Sequence, residues 1–230
     1  MRVLQFVDEG LGNAAHLLIS ERDRVAALID PLRDVDRYLA AAEREGVAIT
    51  HVLETHVHND FISGSRELLA RSGAILVASH SAGLQFQHHP VQEGDTVQVG
   101  DVTVQVLATP GHTPEHVSFL ARSSAGSGAL AVLFSGGSLL VGAVSRTDLL
   151  GHEHAAGLAQ SLFHSLHAKV LRLPDDVTVY PTHGAGSFCA AVDNPARSTT
   201  IGAERRSNPY LQLATPEAFA ARVLHSMPSY

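Results

Sequence analysis

Glu54-Thr55-His56-Val57-His58-Asn59-Asp60-Phe61 follows the apolar run 49–53 and precedes a stretch at 63–71 with helical character. A strand that breaks into histidines at i and i+2 and an aspartate at i+4 carries three metal-capable side chains on one short loop. Neutral imidazole binds zinc, iron or copper, and the carboxylate either binds the ion or orients a ligand imidazole. The competing reading is a polar surface loop that happens to contain histidine.

Working outward, the same arrangement recurs. Ala108-Thr109-Pro110-Gly111-His112-Thr113-Pro114-Glu115-His116 comes after the alternating strand 102–107, and its Pro and Gly force a turn where His112 appears. Val179-Tyr180-Pro181-Thr182-His183-Gly184 is again an apolar strand, a break and a histidine. Three strand ends each deliver an imidazole, which favours the metal reading.

HxHxD after a strand, then TPGHT, then a strand ending in PTHG resembles the metallo-β-lactamase superfamily. Ser145-Arg146-Thr147-Asp148-Leu149 and Glu204-Arg205-Arg206-Ser207-Asn208-Pro209 narrow the resemblance to its persulfide dioxygenase (sulfur dioxygenase) branch, particularly bacterial members often fused to rhodanese domains. The resemblance covers roughly residues 1–210 and implies an α/β fold, a four-layer αββα sandwich. It also implies one ferrous ion held by two histidines and a carboxylate, the histidines being His56 and His112.

The carboxylate is where this chain departs. The family's aspartate closes an FTGD-type strand end, and here that segment reads Phe134-Ser135-Gly136-Gly137. Three replacements are open: Asp148 from the adjoining turn, Asp60, or an all-histidine set of His56, His58 and His112, the last being preferred. Two-metal hydrolases of the superfamily carry HxHxDH plus the bridging aspartate, and Phe61 and Gly137 stand at those positions. A single ion, Fe(II) first and Zn(II) as the alternative, is therefore expected.

The resemblance implies oxidation of a low-molecular-weight persulfide, such as glutathione persulfide, by O2 to sulfite and thiol. His183 would hydrogen-bond metal-bound water or substrate, Asp60 would fix a ligand imidazole, and Arg146, read as an exposed turn residue, would pair with a substrate carboxylate. The alternatives are a zinc-dependent thioester hydrolase of glyoxalase II type and a non-catalytic metal- or sulfur-binding module.

The chain has 230 residues, enough for one large domain, and 1–230 reads as one. Its net charge of −7, with 16 basic and 23 acidic residues, argues against a nucleic-acid partner. Cys189 is the sole cysteine, which suits a reducing compartment, and no run of about 18 apolar residues marks a membrane span. The expected location is the cytoplasm. The tail at 228–230 resembles the junction before a rhodanese in fused relatives, so truncation there and a persulfide carrier as partner are expectations; a homodimer is a separate one.

Strands are read at 3–7, 14–19, 25–30, 49–53, 75–78, 97–99, 102–107, 117–121, 129–134 and 177–180, the pair around Gly100-Asp101 as a hairpin. Helices are read at 35–45, 63–71, 154–170 and 215–225, and a flexible Ser/Gly loop at 123–128. His88-His89, His152, His154, His164 and His167 are read as solvated or local residues, and Cys189 as a buried thiol without a catalytic part.

Overall fold

The computed structural model describes residues 1–123, 130–190 and 194–226. The Ser/Gly loop, apart from Ser123, and the tail at 228–230 lie outside the described residues.

The chain opens with β1 (Arg2–Asp8), β2 (Asn13–Ser20) and β3 (Val25–Ile29), an antiparallel meander. Helix α1 (Asp36–Glu45) stops at Gly46, whose left-handed φ of 61° lets its N–H reach back to the carbonyls of Ala42 and Glu43. The crossover returns the chain as β4 (Ala48–Leu53), parallel to β3. Helix α2 (Ser65–Ser72), β5 (Ile75–Ser79) and β6 (His89–Val91) complete a six-stranded sheet in the order β1 to β6. The second sheet, also six-stranded and in sequence order, holds β7 (Thr96–Val99), β8 (Val102–Ala108), β9 (Val117–Ser123), β10 (Ala131–Gly136), β11 (Thr178–Pro181) and β12 (Thr199–Thr200). Helices α3 (His152–Ala168), α4 (Ile201–Ser207) and α5 (Pro216–Ser226) follow the second sheet's strands.

The period-2 alternation of strand side chains sorts these elements into four layers. Leu17, Ile19 and Leu28 pack outward with Tyr38 of α1 and Leu68 of α2, while Leu18, Ala27 and Ile29 point the other way. There they meet Val104, Val106, Phe119 and Phe134 of the second sheet. Leu120 and Leu133, one residue out of phase, pack instead with Leu162 and Leu166 of α3 and Phe219 of α5. This is the αββα sandwich.

The expected strands and helices all appear, with ends shifted by a few residues. Among the strands and α-helices of the described residues three escaped: β6 and β12 are too short to show alternation, and α4 lies within the charged stretch read only as a motif. His89 accordingly opens a strand and does not sit in a turn. No helix among the described residues is long and apolar enough to cross a membrane.

Candidate metal centre

Strand ends from both sheets converge at one edge of the sandwich. β4 runs into Glu54–Phe61, β8 into the turn with His112, and β11 into His183. A bridge between Asn13 and His183, flanked by hydrogen bonds from Ala14 N–H to the Thr182 carbonyl (2.8 Å) and Gly184 N–H to the Gly12 carbonyl (2.9 Å), ties the sheets together there. Val117 N–H to the Thr55 carbonyl (2.8 Å) does the same on the other flank.

The hydrogen bonds fix which ring nitrogens carry protons. Thr55 Oγ1 donates to Asp30 Oδ2 (2.7 Å) and so accepts from His56 Nδ1 (2.8 Å), which leaves His56 Nε2 a bare lone pair. His112 Nδ1 donates to the Arg146 carbonyl (2.7 Å), and His183 Nδ1 donates to Asn13 Oδ1 (3.0 Å). Both therefore turn a bare Nε2 inward. His56 Nε2 and His183 Nε2 stand 3.3 Å apart, so both rings face one point at which an ion would sit. The His56 and His112 ring centroids are 4.8 Å apart, close enough to share that ion. His112 Nε2, His58 Nδ1 and Asp60 Oδ1 are buried with no hydrogen-bond partner. Buried polar atoms rarely go unpaired, and this concentration of bare donors fits a cation. Burial, then the neighbouring imidazoles, holds the pKa values of His56 and His112 well below the usual histidine range, so both are neutral and able to coordinate.

His58 is held differently. Its Nε2 lies 3.3 Å from Asp30 Oδ1 and 3.2 Å from Glu54 Oε2. Burial opposes the charged ring, but the two carboxylates prevail and raise its pKa to about 10. Glu54 is itself bound by the hydroxyls of Ser63 and Ser65. One ring nitrogen of His58 lies within 4.8 Å of ring nitrogens on His56 and His183. Asp30, which sequence reasoning missed, is the hub: buried, at φ 48°, it accepts from Thr55 N–H (2.7 Å), Thr55 Oγ1 (2.7 Å) and Thr182 Oγ1. Burial would raise its carboxyl, yet His58 and these donors keep it far below the carboxylate range. The signal available was an aspartate closing an apolar strand just before Pro31.

The His112 side departs more from expectation. Arg146 is not an exposed turn residue but is 1% exposed, clamped to Asp148 by Nε–Oδ1 (2.7 Å) and Nη2–Oδ2 (2.9 Å). Its guanidinium faces Asp148 and Phe188 instead of an open pocket, and Asp148 is not free to swing toward an ion. Asp60 Oδ2 takes the Asn13 amide (2.8 Å) and lies 3.3 Å from His183 Nδ1, so the imidazole it steadies is His183. Gly137 leaves room that the His112 ring fills: a Cβ on residue 137 would stand 2.3 Å from His112 Cδ2. Cys189 is buried as expected, but its Sγ lies within 4.8 Å of ring nitrogens on both His112 and His183. Burial, then the Asp60 charge, pushes its thiol pKa well up.

Beside the cluster a cavity of about 250 Å3 opens onto His56 and His58, walled by Phe61, Leu76, Leu84 and Phe86. Phe61 stacks on His58 at 4.1 Å. His152 and His154 begin α3, away from this point, and His167 stacks on Phe163 at 4.1 Å.

An αββα sandwich with a buried imidazole cluster at its strand ends defines a scaffold for a metal-dependent protein. The pattern of the Metallo-beta-lactamase superfamily matches residues 11–183, and the chain belongs to that family. It is 32% identical over 206 residues to the human protein named "Persulfide dioxygenase ETHE1, mitochondrial", covering 88% of this chain and 72% of that one. It is also 32% identical over 241 residues to a hydroxyacylglutathione hydrolase of Polaromonas sp., covering 94% and 87%. Among solved structures, ETHE1 from Myxococcus xanthus superposes with a TM-score of 0.85 at 33% identity, covering all of this chain and 92% of that one. A metallo-beta-lactamase from Staphylococcus aureus superposes at 0.91 and 32%, covering all of this chain and 68% of that one.

Proposed function

We propose that this chain oxidises a low-molecular-weight persulfide, of which glutathione persulfide is the type case, to sulfite and the parent thiol. The observation that carries the reading is Phe61 in place of the last histidine of HxHxDH, which removes a donor a two-metal hydrolase would use, whereas Gly137 removes a carboxylate that both classes use. The relatives named persulfide dioxygenase support it.

In the balanced reaction, one persulfide, one O2 and one water give one thiol and one sulfurous acid. The terminal sulfur gives up four electrons and O2 takes them. His56, His58 and His112 would hold one ion, Fe(II) first and Zn(II) as the alternative, with His58 giving up to solvent the proton it carries in the ion-free chain. A bound ion would supply a Lewis acid toward the terminal sulfur and, as iron, the redox chemistry that O2 requires. The chain's own residues do the rest. Thr55, Arg146 O and the Asp30/Glu54 pair orient the three rings, with His56 lying between His58 and His112 at ring-centroid distances of 4.1 and 4.8 Å. His183, steadied by Asn13 and Asp60, offers a nitrogen beside His56 that would hydrogen-bond the substrate or a bound water. Phe61 and Phe86 line the cavity with apolar surface, which suits the substrate body and keeps bulk water from the sulfur. A persulfide carrier of rhodanese type is a natural supplier, and the cytoplasm the natural setting.

The test is O2 uptake by ferrous-loaded protein given glutathione persulfide. One O2 consumed per sulfite formed is expected, and His56→Ala should lower the rate by more than the roughly 10–100-fold typical of losing an orienting partner. The hydroxyacylglutathione hydrolase relatives favour a second reading: zinc-loaded protein that cleaves a glutathione thioester, with no persulfide-dependent uptake, would replace the first. Silence with both substrates points to the binding module.

A further inference from the structure

The His112 side of the cluster lacks the anionic donor that the His58 side has in plenty. Gly137 offers no side chain, Asp148 is committed to Arg146, and Asp60 is held by Asn13 and His183 through Oδ2, which leaves Oδ1 as its one unpaired oxygen. We propose that Cys189 Sγ is a direct ligand of the ion, supplying beside His112 the anionic donor that residue 137 cannot.

Three observations converge. The sulfur and one ring nitrogen from each of His112 and His183 lie within 4.8 Å of one another, and all three residues are buried. His112 Nε2 is fully buried and has no partner, so it too is a donor waiting at this point. The thiol's position is fixed by backbone: Arg146 N–H donates to the Cys189 carbonyl (3.3 Å), and Cys189 N–H donates to Ser187 Oγ (3.2 Å). Arg146 also accepts from His112 Nδ1 through its own carbonyl, so one residue sets the place of both ligands.

The chemistry agrees. Thiolate is a good ligand for zinc and iron, and a dication among neutral imidazoles gains an anionic partner. On binding, the S–H bond breaks, the proton leaves to solvent and the sulfur lone pair forms the metal bond, with no change of oxidation state. The proposal rests on the metal-centre part of the reading above and is independent of the persulfide chemistry.

Cobalt(II) reports thiolate ligation directly. Full-length protein stripped of metal is titrated with cobalt, and a near-ultraviolet thiolate-to-cobalt charge-transfer band is expected beside the visible bands. Cys189 is the chain's only cysteine, so no other thiolate can give it. Cys189→Ser should retain its fold by circular dichroism, lose the near-ultraviolet band, keep visible bands from the imidazoles, and bind cobalt at least about tenfold more weakly, about 1.4 kcal/mol. Wild-type protein that holds cobalt without the band, or takes up none, overturns the proposal, as does a band that survives in Cys189→Ser. Failure of persulfide oxidation, by contrast, leaves the cobalt result intact.

Discussion

The two sides of the imidazole cluster are built on opposite plans. On the His58 side, two carboxylates and the hydroxyls of Thr55, Thr182, Ser63 and Ser65 form a closed network, and the ring it holds is kept positively charged in the absence of an ion. On the His112 side there is one backbone carbonyl, a glycine and a neutral thiol, and the ring's inner nitrogen is unpartnered. The difference teaches that one side is organised by the fold before any ion arrives, whereas the other is organised by the ion. The first should matter most for stability, the second for metal content.

The largest expected effect lies on the first side. Asp30→Asn keeps size and tolerates φ 48°, since asparagine also visits the left-handed region. It removes a buried charge whose partners stay behind: His58 is left with one carboxylate, and an amide faces the Thr55 N–H. Breaking a buried pair typically costs about 3–5 kcal/mol, and urea denaturation of metal-free protein should register a loss of that order. A loss below about 1 kcal/mol would mean that the network is not what holds β3 to the β4 loop.

On the second side the same measurement should give less. Gly137→Ala drives a Cβ into the His112 ring, an overpacking expected to cost about 1–3 kcal/mol with no gain in metal binding. Gly137→Asp carries the same steric cost but adds a carboxylate at the vacant position. It should bind iron more tightly than Gly137→Ala and weaken the cobalt–thiolate band, because the two anionic donors compete for one place. Equal iron affinity in the two variants would mean that residue 137 does not face the ion.

The contrast also explains how much could be read from the chain. The strand ends carrying His56, His112 and His183 were legible because alternation followed by Pro or Gly marks them, and the sandwich followed from the same runs. Asp30 was not, because its importance depends on contacts with Thr55 and Thr182, the latter 152 positions away, which no local pattern encodes. Arg146 was misjudged as exposed, since arginine is seldom buried unless paired and nothing local shows that the turn it shares with Asp148 folds the pair inward. Cys189 looked inert because burial of a free thiol is ordinary; only the loop after His183 folding back on Arg146 carries it to the cluster.

A third buried imidazole offers the smallest effect and a control for the first two. His16 is as buried as His58, but its Nε2 accepts only the Gln5 amide (3.2 Å), its Nδ1 has no partner, and Phe134 and Tyr180 pack against it. Burial lowers its pKa to about 4, against the pull of Asp30. Between that value and about 6.5 the unfolded chain binds the proton and the folded one does not, so its contribution to stability is complete above about pH 6.5 and falls as the pH drops. By pH 6 the loss should be about 1 kcal/mol. Metal-free His16→Leu should therefore show a flatter fall in urea midpoint between pH 7.5 and 6 than the parent, by about that amount. Parallel curves for the two proteins would mean that His16 gains a proton inside the fold, and that burial without a carboxylate does not suffice to keep an imidazole neutral here.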